Sequence, residues 1–187
     1  MSDFSHQAKG AVRDHFLTAR RSRTDLIEAD AAVRATLATL ATGLPTVAGY
    51  VPMAGEPGGP DLPGALAAVC GRLLLPVLRP DRDLDWAAHT GDLAPARLGL
   101  REPTGPRLGP ATIAEAALVV VPAVAVDRHG IRLGRGGGSY DRALARVPAG
   151  TMVVAALYDG EYVDGLPAEE HDVRVHAVVT PAGLVRM

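Results

Sequence analysis

An α/β layer protein built on a mainly parallel sheet is what this 187-residue sequence predicts. Apolar runs of strand length carry that reading: 73–78 and 117–126 are nearly continuous rather than alternating, as strands buried on both faces are. Segments with helical periodicity lie between the strands, and clusters of Gly and Pro punctuate the boundaries. Such alternation places helices on both faces of one sheet, giving three layers, α/β/α. With no internal repeat and no linker-like stretch, the chain reads as a single domain over 1–187.

In chain order, residues 4–23 read as the first helix, with Phe4, Ala8, Ala11, Val12, Phe16 and Ala19 at helical spacing. Thr24 reads as the N-cap of a second helix, followed by Asp25 and Glu28 in its first turn and ending before Gly43. Thr46–Val51 is the first convincing strand. A Gly/Pro-rich loop, 52–60, leads to a helix over 61–71 with Asp61 as cap, then to the strand Leu73–Leu78. A short strand is expected near Leu84–Trp86 and a Pro/Gly-rich stretch over 102–110. The apolar run 117–126 reads as one strand. A glycine-rich loop, a helix at 139–147, a strand at 151–157 and a last strand at 176–180 complete the chain.

Composition excludes several classes. One cysteine, Cys70, rules out an internal disulfide framework. Six dispersed histidines lack paired ligand spacing, which argues against zinc. Nineteen basic residues are spread among twenty-one acidic ones, unlike a general nucleic-acid binder. No apolar run approaches the roughly 20 residues of a membrane helix, and residues 1–9 lack the order of a secretory signal. A cytoplasmic protein with no membrane or nucleic-acid partner is expected, as a monomer. Of the nineteen cations, eighteen are Arg and only Lys9 is Lys, while Asn is absent. That skew matches GC-rich coding rather than selection for Arg, which singles out the surviving lysine. Arg13 stands one helical turn from it, so both can face one anion.

The segment 127–142 carries the chemistry. Gly134, Gly136, Gly137 and Gly138 permit positive φ and close approach of a ligand to the backbone. The helix start that follows offers unpaired N–H groups to a phosphate. Arg132 and Arg135 add forked cationic donors. Asp141, in the first helical turn, suits either a cap or a carboxylate holding magnesium beside a phosphate. Neither the Walker A ending nor the dinucleotide-binding spacing is present. These residues alone predict a phosphate ligand at the carboxyl end of an α/β sheet.

The segment also resembles the signature of the 5-formyltetrahydrofolate cyclo-ligase (5,10-methenyltetrahydrofolate synthetase) family. The matching residues are Asp127, Arg132, Leu133, Gly134, Gly136, Gly138, Tyr140 and Asp141. Three further motifs occur in the family's order: Lys9 with Arg13, then Gly99-Leu-Arg-Glu102-Pro103, then Leu166-Pro-Ala-Glu-Glu-His171-Asp172. Departures fall at Val126, Ser139, Glu161 and the stretch Glu56–Asp61, which the resemblance puts among the folate contacts.

That resemblance implies a fold similar to the sugar-phosphate isomerases and coenzyme A transferases. It also implies ATP-dependent closure of 5-formyltetrahydrofolate to 5,10-methenyltetrahydrofolate, with ATP and Mg²⁺ required. The formyl oxygen would be phosphorylated, nitrogen 10 would attack, and phosphate would leave, so no protein nucleophile is needed. Arg132 and Tyr140 would be catalytic. Lys9, Arg13, Arg132, Gly134, Arg135, Gly136, Gly137, Gly138, Ser139, Tyr140 and Asp141 would bind ATP, with Asp141 on the metal. Tyr50, Met53, Glu56, Trp86 and Tyr140 are candidates for the folate pocket, Glu56 because a carboxylate accepts paired N–H groups from the pterin edge. Asp172, beside His171, reads as fixing a turn next to the site. A diverged, non-catalytic nucleotide- or sugar-phosphate-binding protein of the same fold is the alternative.

Overall fold

The structure, a computed structural model, describes residues 2–169 and 172–187. At its centre lie four strands expected from the apolar runs: β1 (Val47–Ala48), β2 (Leu73–Leu78), β6 (Leu118–Pro122) and β9 (Met152–Ala156). Together with β11 (Ala177–Thr180) they pair in parallel, in the order β11-β9-β6-β1-β2. The edges are hairpins: β3 (Leu84–Ala88) runs antiparallel to β2, and β12 (Gly183–Arg186) antiparallel to β11.

Both faces of this sheet are apolar, which explains the unbroken hydrophobic runs. Leu118 and Val120 pack with α2 (Leu26–Ala41) and α3 (Leu62–Ala67) through Val33, Leu37, Leu62 and Leu66. Val119 and Val121 face the other way, towards Ile113 of the 3₁₀ segment 110–115 and Leu144 of α4 (Ser139–Leu144). The helices are shorter than expected. α3 ends at Ala67 and α4 at Leu144, and the first helix, α1 (Lys9–Arg21), starts after a turn at 5–6. Asp25, not Thr24, precedes α2, and its carboxylate goes to Arg23 rather than to the helix N–H groups.

The run 117–126 is two strands, not one. Pro122 has no N–H to continue the ladder. The chain leaves the large sheet there and re-forms as β7 (Ala125–Asp127), between β8 (Arg132–Leu133) and β10 (Tyr162–Val163). Val12 and Phe16 of α1 pack on this small sheet, against Val124, Ala125, Ile131 and Leu133. That docking fixes which side of α1 meets the glycine loop. A further hairpin, β4 (Leu93–Pro95) with β5 (Arg101–Pro103), forms in the stretch after β3.

Candidate active site

The main cavity, about 450 Å³, opens where the strand order reverses. Connections from β1 pass outward through β2, whereas those from β6 pass the other way through β9 to β11. A crevice beyond the carboxyl ends of such strands is the standard ligand position in an open α/β sheet. Tyr50 and Val51 follow β1, Leu78 ends β2, Pro122 ends β6 and Ala123 and Val124 follow it; all line the cavity.

One wall is cationic. Lys9 and Arg13 project from α1, and the glycine loop with its flanks contributes Arg132, Gly134, Arg135, Gly136, Gly137, Gly138, Ser139, Tyr140 and Asp141. Every ATP-side residue expected from the sequence is therefore gathered on this cavity. Gly136 and Gly138 adopt φ of 93° and 66°, which L side chains rarely take. A Cβ at Gly136 would also stand 3.3 Å from the Arg13 guanidinium. Arg13 donates through Nε to the Gly134 carbonyl at 2.8 Å and so anchors the loop. Arg132, with 4% of its side chain exposed, donates to Asp141 Oδ1 at 2.8 Å and to the Pro122 carbonyl at 3.3 Å. Because α4 has only six residues, the side-chain cations rather than a helix dipole supply the positive charge.

The opposite wall holds Tyr50, Met53 and Glu56. Glu56 is 6% exposed; Oε2 accepts from the Met53 N–H at 2.9 Å and Oε1 from Arg135 Nε at 2.7 Å. The Tyr50 hydroxyl donates to the Pro57 carbonyl and pins the same loop. Burial, reinforced by the Glu56 charge, pushes the Tyr50 phenol well above its ordinary value. The same two causes raise Tyr140 against the pull of Arg132, whose guanidinium lies 5.7 Å from the ring centre. Both phenols stay protonated, Tyr140 as a donor facing the cavity.

Three expectations need correction. Trp86 does not line the cavity; it is fully buried on β3, where an aromatic fills the core. Glu161 is not a folate-side departure. It forms a sealed ion pair with Arg20, 2.6 Å from Arg20 Nε, and its Oε2 accepts from the Tyr158 N–H at 2.7 Å. Val126 likewise belongs to the core, leaving Ser139 and Glu56 as the departures that line the cavity.

Asp172 proves richer than a turn residue. It accepts from the Glu169 N–H at 2.7 Å, as a turn-fixing carboxylate does, and also lines the cavity and binds Lys9 Nζ at 2.8 Å. Glu169 stands 3.3 Å from the same ammonium. The signal was present in the sequence as the Asp of the last motif; its link to Lys9 spans 163 residues and no local pattern shows it. His171 lies outside the described residues. Five cations (Lys9, Arg13, Arg101, Arg132, Arg135) and five acids (Glu56, Glu102, Asp141, Glu169, Asp172) thus line one cavity. Such a lining suits a ligand that is anionic at one end and offers N–H donors at the other.

Comparison with known proteins agrees. A profile of the 5-formyltetrahydrofolate cyclo-ligase family matches residues 5–181. The chain belongs to this family. A 5-formyltetrahydrofolate cyclo-ligase of Mycolicibacterium smegmatis is 43% identical over 185 residues, covering 95% of each chain. The cyclo-ligase of Escherichia coli is 34% identical over 143 residues, 73% of this chain and 78% of that one. The NMR structure of Aquifex aeolicus 5,10-methenyltetrahydrofolate synthetase superimposes with a TM-score of 0.78 at 27% identity, covering 95% of this chain and 92% of the other. Among the described residues, no helix is long and apolar enough to cross a membrane.

Proposed function

We propose that the protein catalyses the ATP-dependent conversion of 5-formyltetrahydrofolate to 5,10-methenyltetrahydrofolate, releasing ADP and phosphate. The observation that carries this reading is the convergence of Glu56 and the Arg-rich glycine loop on one 450 Å³ cavity. Lys9, Arg13, Arg132 and Arg135 neutralise the phosphates, and the backbone of 134–139 approaches them closely. Glu56 receives the amino-pyrimidine edge of the pterin, with Tyr50 and Met53 shaping its pocket.

The chain's residues then do three things. Arg132 stabilises charge that develops on the transferring phosphoryl group, and Asp141 holds Arg132 in place for it. Tyr140, kept protonated by its burial, donates a hydrogen bond near the formyl oxygen. The two walls bring that oxygen and the phosphoryl group within reach, so positioning supplies much of the rate.

Magnesium fits the donor set at Asp141. Its Oδ1 is held by Arg132, which leaves Oδ2 for a metal, and Mg²⁺ commonly takes one or two carboxylates with phosphates and water. Bound there, Mg²⁺ would neutralise phosphate charge.

The test is direct: protein, 5-formyltetrahydrofolate and magnesium-ATP are mixed and the methenyl chromophore is followed by absorbance. Appearance of the chromophore only with ATP is expected. Lys9→Ala should abolish it while the protein still folds, with any loss of thermal midpoint coming from the Asp172 carboxylate it leaves without this cation. A folded wild-type protein that yields no chromophore favours the binding-only alternative, and wild-type turnover by Lys9→Ala overturns the phosphate role of that lysine.

A further inference from the structure

All five cations of the cavity have described partners, Arg101 through the Leu93 carbonyl at 2.9 Å, and one partnership differs in kind. Arg13 and Arg132 bind groups of the glycine loop and its flanks, the Gly134 and Pro122 carbonyls and Asp141. Lys9 binds the segment carrying Glu169 and Asp172. Arg135 instead links the glycine loop to Glu56, on the loop that follows β1. Glu56 is almost closed off, with 7% of its side chain exposed, whereas Arg135 keeps 41% exposed on a glycine-flanked loop. The solvent-accessible partner of this pair is the arginine.

The chemistry of the two groups sharpens this. A guanidinium presents N–H donors on a planar N–C–N unit. The edge of a 2-amino-4-oxopyrimidine, a ring N–H beside an amino group, has the same planar N–C–N arrangement. Arg135 therefore occupies Glu56 with the same kind of donor that the pterin would bring. The recorded contact is one bond from Nε, while a pterin edge can give two parallel bonds to the carboxylate.

Resting on the functional reading above, we propose that Arg135 is a coupling residue, exchanged between the two halves of the site. Without ligand it holds Glu56; with nucleotide bound it turns to the phosphates and leaves Glu56 open for the pterin. Folate, by taking Glu56, releases Arg135 to the phosphates in turn. Because binding free energies are reciprocal, each ligand tightens the other by the same factor. A competitor held inside the protein lowers apparent folate affinity by the fraction of molecules in which Glu56 is free.

Equilibrium binding of 5-formyltetrahydrofolate to the full chain, by calorimetry, tests this with and without a non-hydrolysable ATP analogue and magnesium. In the wild type the analogue should tighten folate binding by about fivefold or more, the lower end of ordinary coupling. Arg135→Ala should bind folate alone more tightly than the wild type, by a similar factor, and gain little from the analogue. That direction is informative because deleting a cation from a purely electrostatic pocket would weaken an anionic ligand. Glu56→Gln should bind folate weakly and also lose the coupling. Thermal midpoints confirm that each variant is folded. Folate affinity of Arg135→Ala at or below the wild-type value, or undiminished coupling in it, overturns the exchange. Failure of the folded wild type to bind folate at all overturns the functional reading beneath it, and the two failures are thereby told apart.

Discussion

Arg20 and Arg132 reach adjacent carbonyls at the point where the chain leaves β6. Arg20, from α1, donates to the Ala123 carbonyl at 2.6 Å, and Arg132, from β8, to the Pro122 carbonyl at 3.3 Å. Each also binds one carboxylate, Glu161 or Asp141. The difference lies in that carboxylate. Glu161 is nearly as closed as its arginine, with 6% of its side chain exposed, and lies outside the cavity lining. Asp141 is 22% exposed and faces the cavity. The same bond type thus serves a sealed structural joint in one place and an accessible, charge-handling site in the other. Exposure of the acid, more than geometry, separates the two.

The largest expected effect comes from breaking the sealed pair. Arg20→Met leaves Glu161 buried without its counter-ion and the Ala123 carbonyl without this donor, which costs about 3–5 kcal/mol. Urea unfolding should show this as a fall in midpoint, with turnover per folded molecule staying within a few-fold of wild type. A large loss of turnover at unchanged stability would break the comparison. Arg132→Lys should behave in the opposite way. It keeps the charge but loses the fork that spans Asp141 and the Pro122 carbonyl. Turnover should fall by about 10²–10³-fold, the usual effect of removing one transition-state donor, with a smaller change in midpoint. Equal losses of stability and turnover would mean that Arg132 is only a second structural joint.

Much of this was legible in the sequence, and the failures have physical causes. β2 is legible to the residue because Gly71 and Pro80 bracket an apolar run with no competing pattern. The grouping of the cationic wall is equally legible, since its residues lie close together in the chain apart from Lys9 and Arg13. The break in 117–126 was not, because both halves are apolar and only Pro122 marks the exit. Trp86 was misplaced because an aromatic on a strand carries no mark of which face it takes. The roles of Asp172 and Glu161 depend on partners 163 and 141 residues away in sequence. Composition hid the Arg20 pair as well, since one arginine among eighteen draws no attention.

A gentler change sharpens the contrast further. Replacing both members of the sealed pair, Arg20→Met with Glu161→Leu, removes two buried charges together, along with the Arg20 NH1 group that has no hydrogen-bond partner among the described residues. Apolar replacements of such pairs are often neutral or stabilising, by about 1–4 kcal/mol, so this variant should be at least as stable as the wild type at neutral pH. The size of the gain should depend on pH, with a sign set by Glu161. Burial raises the Glu161 carboxyl above its ordinary value of 4.5, and the Arg20 hydrogen bonds and charge only partly offset it. The folded wild type then holds a proton at Glu161 that the unfolded chain has lost, in the window just above pH 4.5. That contribution favours the fold fully below 4.5 and is lost as pH rises through the folded value. The double variant lacks the group, so its advantage over wild type should be smallest near pH 4.5 and grow as pH climbs out of the window. Urea midpoints of the two proteins, measured in steps from pH 4.5 to 7, give this difference directly. A difference that stays flat or widens towards acid would mean that Arg20 holds Glu161 ionised through the whole range.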